Sequence, residues 1–175
     1  GSNGKSKLVE LMSEVLGDYK GTVPVSLVIS KRATIGGVSP EIAQLKACRY
    51  AVMQEPSKGD KLNEGILKEL TGGDPIQGRG LYQDTVTFVP QFSLAVCCNE
   101  MFEVKSADHG TWRRMGVVNF TSKFTDEPDP ENPLEFKKDK KLQQKFKKWA
   151  PVFLVMLAQR AFKNKGEVEL CESVK

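Results

Sequence analysis

Apolar residues recur at Leu8, Leu11, Met12, Val15 and Leu16, a spacing that sets them on one face of a helix starting after Ser6. Gly17 follows where a C-terminal cap belongs. Val25 to Ile29 is a short, mostly aliphatic run and predicts a strand. Ser39 as cap and Pro40 at the first helical position predict a short helix as far as Leu45. Tyr50 to Met53 is wholly apolar and predicts a buried strand, and Leu62 to Leu70 is helical in period and stops at Gly72-Gly73. Ile76 to Pro90 predicts a hairpin, with β-formers Val86, Thr87 and Phe88 after a turn region holding Gly80 and Asp84.

Further strands are predicted at Leu94 to Cys98 and Gly116 to Phe120, and the acidic, Pro-rich stretch from Asp126 to Pro133 predicts a loop. Leu142, Phe146, Trp149, Phe153, Met156 and Leu157 lie at helical spacing, so this Met and aromatic stripe is expected in the core, with Pro151 kinking or splitting the helix. Apolar strands alternating with helices imply an α/β layer fold. The expected division is 1–136, an α/β core, and 137–175, a C-terminal helical segment.

Composition adds bounds. The 175 residues suffice for a domain with a core, and the longest apolar stretch, Trp149 to Ala158, is about half of the roughly 20 residues a membrane span needs, so no membrane association is expected. The four cysteines form no CxxC pair; Cys97 and Cys98, inside an apolar run, are expected to be buried free thiols, consistent with a reducing compartment. Net charge is +4, with seven Lys against one Asp between Lys137 and Lys148. Such a run can meet phosphate backbones or simply solvate a helix face.

Three places carry candidate chemistry. Asn3-Gly4-Lys5-Ser6 precedes the first helix and fits the end of a phosphate loop. Its backbone amides would wrap ATP phosphates together with Ser2, Lys5 would reach the β and γ phosphates, and the Ser6 hydroxyl would ligate Mg²⁺. The loop pattern places its first Gly two positions before Gly1, so the chain is expected to begin inside its own loop, without the preceding strand, and to bind ATP poorly alone. Glu55 follows the Tyr50–Met53 strand, at the sheet edge where a carboxylate can hold Mg²⁺ and polarise the attacking water. Asn99 ends the Leu94 strand in the same way and can orient that water. Arg113 and Arg114 could supply transition-state charge in trans. Each also has a plainer reading, as a helix start, a turn residue or a surface arginine.

In order, these pieces resemble the superfamily 3 helicases: NGKS, a strand ending in Glu55-Pro56, Leu70-Thr-Gly-Gly-Asp-Pro-Ile76 with Arg79, Phe88-x-Pro90, Asn99, and Gly110-Thr-Trp-Arg-Arg114 before Phe120. The closest likeness is to the primase-helicases of nucleocytoplasmic large DNA viruses, such as the poxviruses, over roughly residues 1–165. The resemblance implies a P-loop NTPase of the ring-ATPase type, with a mostly parallel central sheet flanked by helices and a projecting β-hairpin. It implies Mg²⁺-dependent ATP hydrolysis, translocation on single-stranded DNA, a homo-oligomeric ring that is usually hexameric, and an attached primase domain. It places the water-polarising acid at Glu55, although Gln54 stands where many members carry a second acid. It makes Asn99 the sensor, Arg113 the better arginine-finger candidate than Arg114, and Ile76 to Val89 the DNA-gripping hairpin, with Arg79 and Tyr82 near its tip as phosphate contact and stacking face. The implied location is a viral replication site in the host cytoplasm, or the host nucleus.

A small-molecule kinase would share the loop but needs an Arg-rich lid and no channel hairpin. A Rep-type replication initiator would carry a nicking domain with a metal-binding His pair, whereas this chain has only His109. A nucleotide-inert ring scaffold would not be expected to keep Lys5, Ser6, Glu55 and Asn99 together.

Overall fold

The computed structural model describes residues 2–29, 38–54, 62–99 and 109–167. These sort into two compact units, one made of residues 18–115 and the other of residues 1–17 with 116–175.

The first unit is built on a three-stranded parallel sheet. Its strands are β1 (Lys20–Thr22), β2 (Tyr50–Gln54) and β5 (Ser93–Cys97), in the order β1-β2-β5. Tyr50 pairs with Ser93 and Gln54 with Cys97, so β2 and β5 end level with one another. Two of the predicted strands are thus in place, and the apolar character of Ala51, Val52 and Met53 follows from their near-complete burial.

Val25 to Ile29 is a correction: the run forms a helix, α2 (Val25–Ile29), not a strand. Pro24 opens it by accepting a hydrogen bond from Leu27 N–H, and Val28 is buried. A short apolar run has no period long enough to separate the two states. The strand beside β2 is instead Lys20–Thr22, whose polar sequence carries little strand signal; the close fit of Gly21 against Cys48 and Leu45 suits it to that place.

Helix α3 (Pro40–Ala43) has Ser39 at its cap position and Pro40 in its first turn, as predicted, but Ser39 Oγ does not cap it. That oxygen accepts a hydrogen bond from Arg79 N–H at 3.1 Å, while Ser39 N–H donates to Arg79 O at 2.8 Å. Helix α4 (Glu64–Thr71) is capped by Asn63, whose side chain accepts from Ile66 N–H at 3.2 Å. The predicted hairpin is formed by β3 (Ile76–Arg79) and β4 (Thr85–Phe88), antiparallel with Ile76 opposite Phe88. Strand β3 sits on α3 so closely that a Cβ on Gly78 would stand 2.5 Å from Ala43 N. A short helix, α5 (His109–Trp112), immediately precedes Arg113 and Arg114. The core of this unit joins Val23, Val28, Leu45, Met53, Leu70 and Ile76.

The second unit contains α1 (Lys5–Leu16), the strands β6 (Lys123–Thr125) and β7 (Glu135–Lys137), and α6 (Leu142–Lys163). Helix α1 stops at Gly17, whose φ of 51° lies in the left-handed region that suits glycine. Strands β6 and β7 pair in parallel, joined by the predicted acidic loop. The predicted strand from Gly116 to Phe120 is reduced to a single bridge at Val118. Helix α6 packs along α1 and runs unbroken through Pro151. Its predicted Met and aromatic stripe is core only in part: Phe146 is buried, Leu142, Phe153 and Leu157 are half-buried, and Trp149 and Met156 are exposed. Cys97 and Cys98 likewise are half-buried, while Cys48 is the buried thiol, and burial pushes its pKa up.

Candidate functional site

The segment expected to be the phosphate loop lies within the second unit. Gly4 caps α1 with φ 90°, and Ser2 also has positive φ, at 64°. Backbone in this region turns successive amides toward a common concavity. Two contacts fix the segment from β6 and the chain before it: Phe124 N–H donates to Ser2 O at 2.8 Å, and Asn3 Nδ2 donates to Phe120 O at 3.4 Å. Lys5 N–H leans toward Asn3 Oδ1 at 3.5 Å, and Leu8 N–H closes the first turn on Gly4 O. Among the described residues the amides of Ser6 and Lys7 have no protein partner. Open first-turn amides at a helix N-terminus, beside Lys5 and the Ser6 hydroxyl, are the donor set a polyphosphate needs. Gly4 is also sterically required: a Cβ there would stand 3.3 Å from Cε2 of Phe124.

Strands β6 and β7 form the floor next to this loop. Side chains alternate across the two-stranded ladder, so Lys123 and Glu135 share one face and Phe124 and Phe136 the other. Lys123 Nζ donates to Glu135 Oε1 at 2.8 Å, and this hydrogen bond is the main cause holding the Glu135 carboxyl below its usual range. The Phe124 and Phe136 rings stand 5.9 Å apart, tilted by 34°. In the basic run, Lys140 pairs with Asp126 and Lys145 with Asp139, and these hydrogen bonds hold both carboxyls low.

The other predicted residues belong to the first unit. Asn99 lies exposed, two residues past the end of β5. Glu55 lies outside the described residues. Arg113 and Arg114 follow α5 and differ in kind. Arg114 is half-buried and donates from Nη1 to Gly110 O at 2.6 Å, fastening its own turn; Arg113 is exposed. The α5 turn is anchored by Thr111, fully buried, whose hydroxyl donates to Glu64 Oε2 at 3.3 Å. Sequence reading missed Thr111, since a lone Thr carries no signal until its burial is known.

At the hairpin, Arg79 and Tyr82 do come together around one turn, but with unequal roles. Arg79 Nε donates to Gln83 O at 3.2 Å and so braces the turn. Tyr82 is 95% exposed and has φ 57°, a region that costs a bulky residue energy. Leu81 is exposed beside it.

A parallel sheet with helices and an antiparallel hairpin make this a mixed α/β protein. Its likeness among solved structures includes the C-terminal region of NrS-1, with TM-score 0.56 and 13% identity over 87% of this chain and 32% of that one. That likeness is one of fold. Residues 1–114 match the family of unknown function DUF5906, and the chain belongs to it. It is 36% identical to the Putative helicase L207/L206 of Acanthamoeba polyphaga mimivirus, over 95% of this chain and 18% of that protein. It is 35% identical to the Putative primase C962R of African swine fever virus, strain Badajoz 1971 Vero-adapted, over 79% of this chain and 15% of that protein. The chain therefore spans under a fifth of the length of these relatives. The motif-based resemblance to helicases and primases of nucleocytoplasmic large DNA viruses is borne out. No described helix is long and apolar enough to cross a membrane.

Proposed function

We propose that this chain is the ATP-hydrolysing motor core of a viral DNA helicase, a P-loop NTPase that works as a homo-oligomeric ring, usually hexameric. The observation that carries the reading is the glycine-capped start of α1, with open Ser6 and Lys7 amides beside Lys5. The relatives named as helicases and primases support it.

In this reading the Ser2–Ser6 segment and Lys5 hold the β and γ phosphates. Ser6 and Glu55 would hold Mg²⁺, which when bound would neutralise charge on the terminal phosphates. Glu55 accepts the proton of the attacking water and Asn99 orients it. The oxygen–phosphorus bond to water forms as the bond from the γ phosphorus to the bridging oxygen breaks, releasing ADP. Exposed Arg113 serves a neighbouring subunit, whereas Arg114 is occupied by Gly110. Tyr82 supplies the stacking face for single-stranded DNA, and Arg79 both braces the turn and lends its charge. The primase attachment and a viral replication site in the host cytoplasm, or the nucleus, belong to the same proposal.

The test is strand displacement by the protein and by its Lys5→Ala and Glu55→Gln variants. Losing phosphate or water positioning lowers the rate by about 10²-fold or more. Rates near those of the unaltered protein in either variant overturn the assignment.

A further inference from the structure

Two aromatic rings lie beside the phosphate loop with no structural task that accounts for their exposure. Phe124 is 38% exposed and Phe136 46%, although both sit on paired strands and touch each other. Lys123 and Lys137, on the other face of the pair, are exposed as well, so the aromatic face is the apolar one of two open faces. Leu134, two residues before Phe136, is exposed as well. The edge of the Phe124 ring meets Gly4, and the Phe124 amide is tied to Ser2. The aromatic pair is therefore held at a fixed distance from the loop, because the same backbone that shapes the loop also carries the ring.

We infer that Phe124 and Phe136 form the nucleobase site of the bound nucleoside triphosphate. This rests on the phosphate-loop reading. A nucleotide whose phosphates lie on the open amides of α1 carries its base within one ribose of that loop. The Phe124 ring of this exposed pair meets the loop at Gly4. Stacking needs a flat, apolar, partly solvated ring and no hydrogen-bond partner, and every base offers such a face. The Lys123–Glu135 pair lies on the opposite face of the ladder, so it leaves the aromatic face uncharged. The site should hold the base by stacking and discriminate weakly among ATP, GTP and CTP.

The experiment is calorimetric titration of the protein with ATP and, separately, with inorganic tripolyphosphate, which has the phosphates and no base. Phe124→Ala and Phe136→Ala are expected to weaken ATP about five- to a hundredfold and to leave tripolyphosphate unchanged. Phe124→Tyr keeps a ring and restores ATP affinity. Phe124→Leu, which keeps the contact with Gly4 but not the π face, is expected to behave like Phe124→Ala and serves if alanine unfolds the unit. Equal losses for both ligands would mean that Phe124 only packs the loop, and no loss for either would mean that the rings are bystanders; each overturns the base site. Lys5→Ala separates the two layers. It should weaken both ligands, and if it weakens neither, the phosphate-loop reading has failed rather than the base site alone.

Discussion

The two units solve the problem of burying apolar surface differently. In residues 18–115, Val23, Val28, Leu45, Met53, Leu70 and Ile76 are almost wholly enclosed around a parallel sheet. In residues 1–17 with 116–175, Val9 and Phe146 are the only buried hydrophobic residues among those described, while Phe124, Phe136, Trp149, Met156 and Phe162 stay exposed. The first unit has a core that stabilises it by burial. The second holds the Ser2–Ser6 segment in place by hydrogen bonds and leaves much of its apolar surface exposed. Stability is concentrated in one unit, and surfaces suited to contact in the other.

The largest effect that sharpens this contrast concerns two adjacent arginines. Arg113→Ala should cut ATP turnover about 10³–10⁵-fold, as for an arginine finger, without lowering the melting temperature. Arg114→Ala should do the reverse, costing about 1 kcal/mol of stability by losing its bond to Gly110. Steady-state turnover and thermal melts on both variants check this, and matching profiles would erase the distinction.

Next in size is a comparison of deletions across the units. Leu70→Ala, at a residue 2% exposed, should cost about 2–5 kcal/mol. Phe162→Ser, at a residue 89% exposed, should change stability by less than about 0.5 kcal/mol. Urea midpoints measure both, and a large cost at Phe162 would show that its unit carries more of the fold than its burial implies.

The smallest effect has opposite signs in two assays. Tyr82→Gly relieves left-handed backbone strain and should stabilise the protein by about 1 kcal/mol. It should also weaken binding to single-stranded DNA about fivefold or more, with little change in salt slope. Loss of stability together with unchanged DNA affinity would make Tyr82 a packing residue.

These contrasts also show how far the sequence could be read. The α1 pattern, the Tyr50 and Leu94 strands, the Leu62 helix and the hairpin were legible because each combines a clear period with a marked boundary, such as Gly17 or Gly72-Gly73. Val25 to Ile29 was not, because five residues cannot distinguish a helical turn from a strand, and Lys20–Thr22 gave no apolar signal for the edge strand it forms. The α6 stripe misled for another reason. Helical spacing shows that residues share a face but not that anything covers it. Of the candidate site, the loop residues and the hairpin tip were legible as motifs. The bond from Arg114 to Gly110, the brace from Arg79 to Gln83, the Thr111 anchor and the Phe124–Phe136 pair needed three-dimensional contacts.

The central claim is that a phosphate loop on one subunit is completed by Arg113 from another. Mixing Arg113→Ala chains, which keep Lys5, with Lys5→Ala chains, which keep Arg113, tests it most directly. Each variant alone should be inactive, and ATP hydrolysis should reappear in the mixture, because some interfaces would pair an intact loop with an intact arginine. No recovery in oligomers shown to contain both chains would contradict the account.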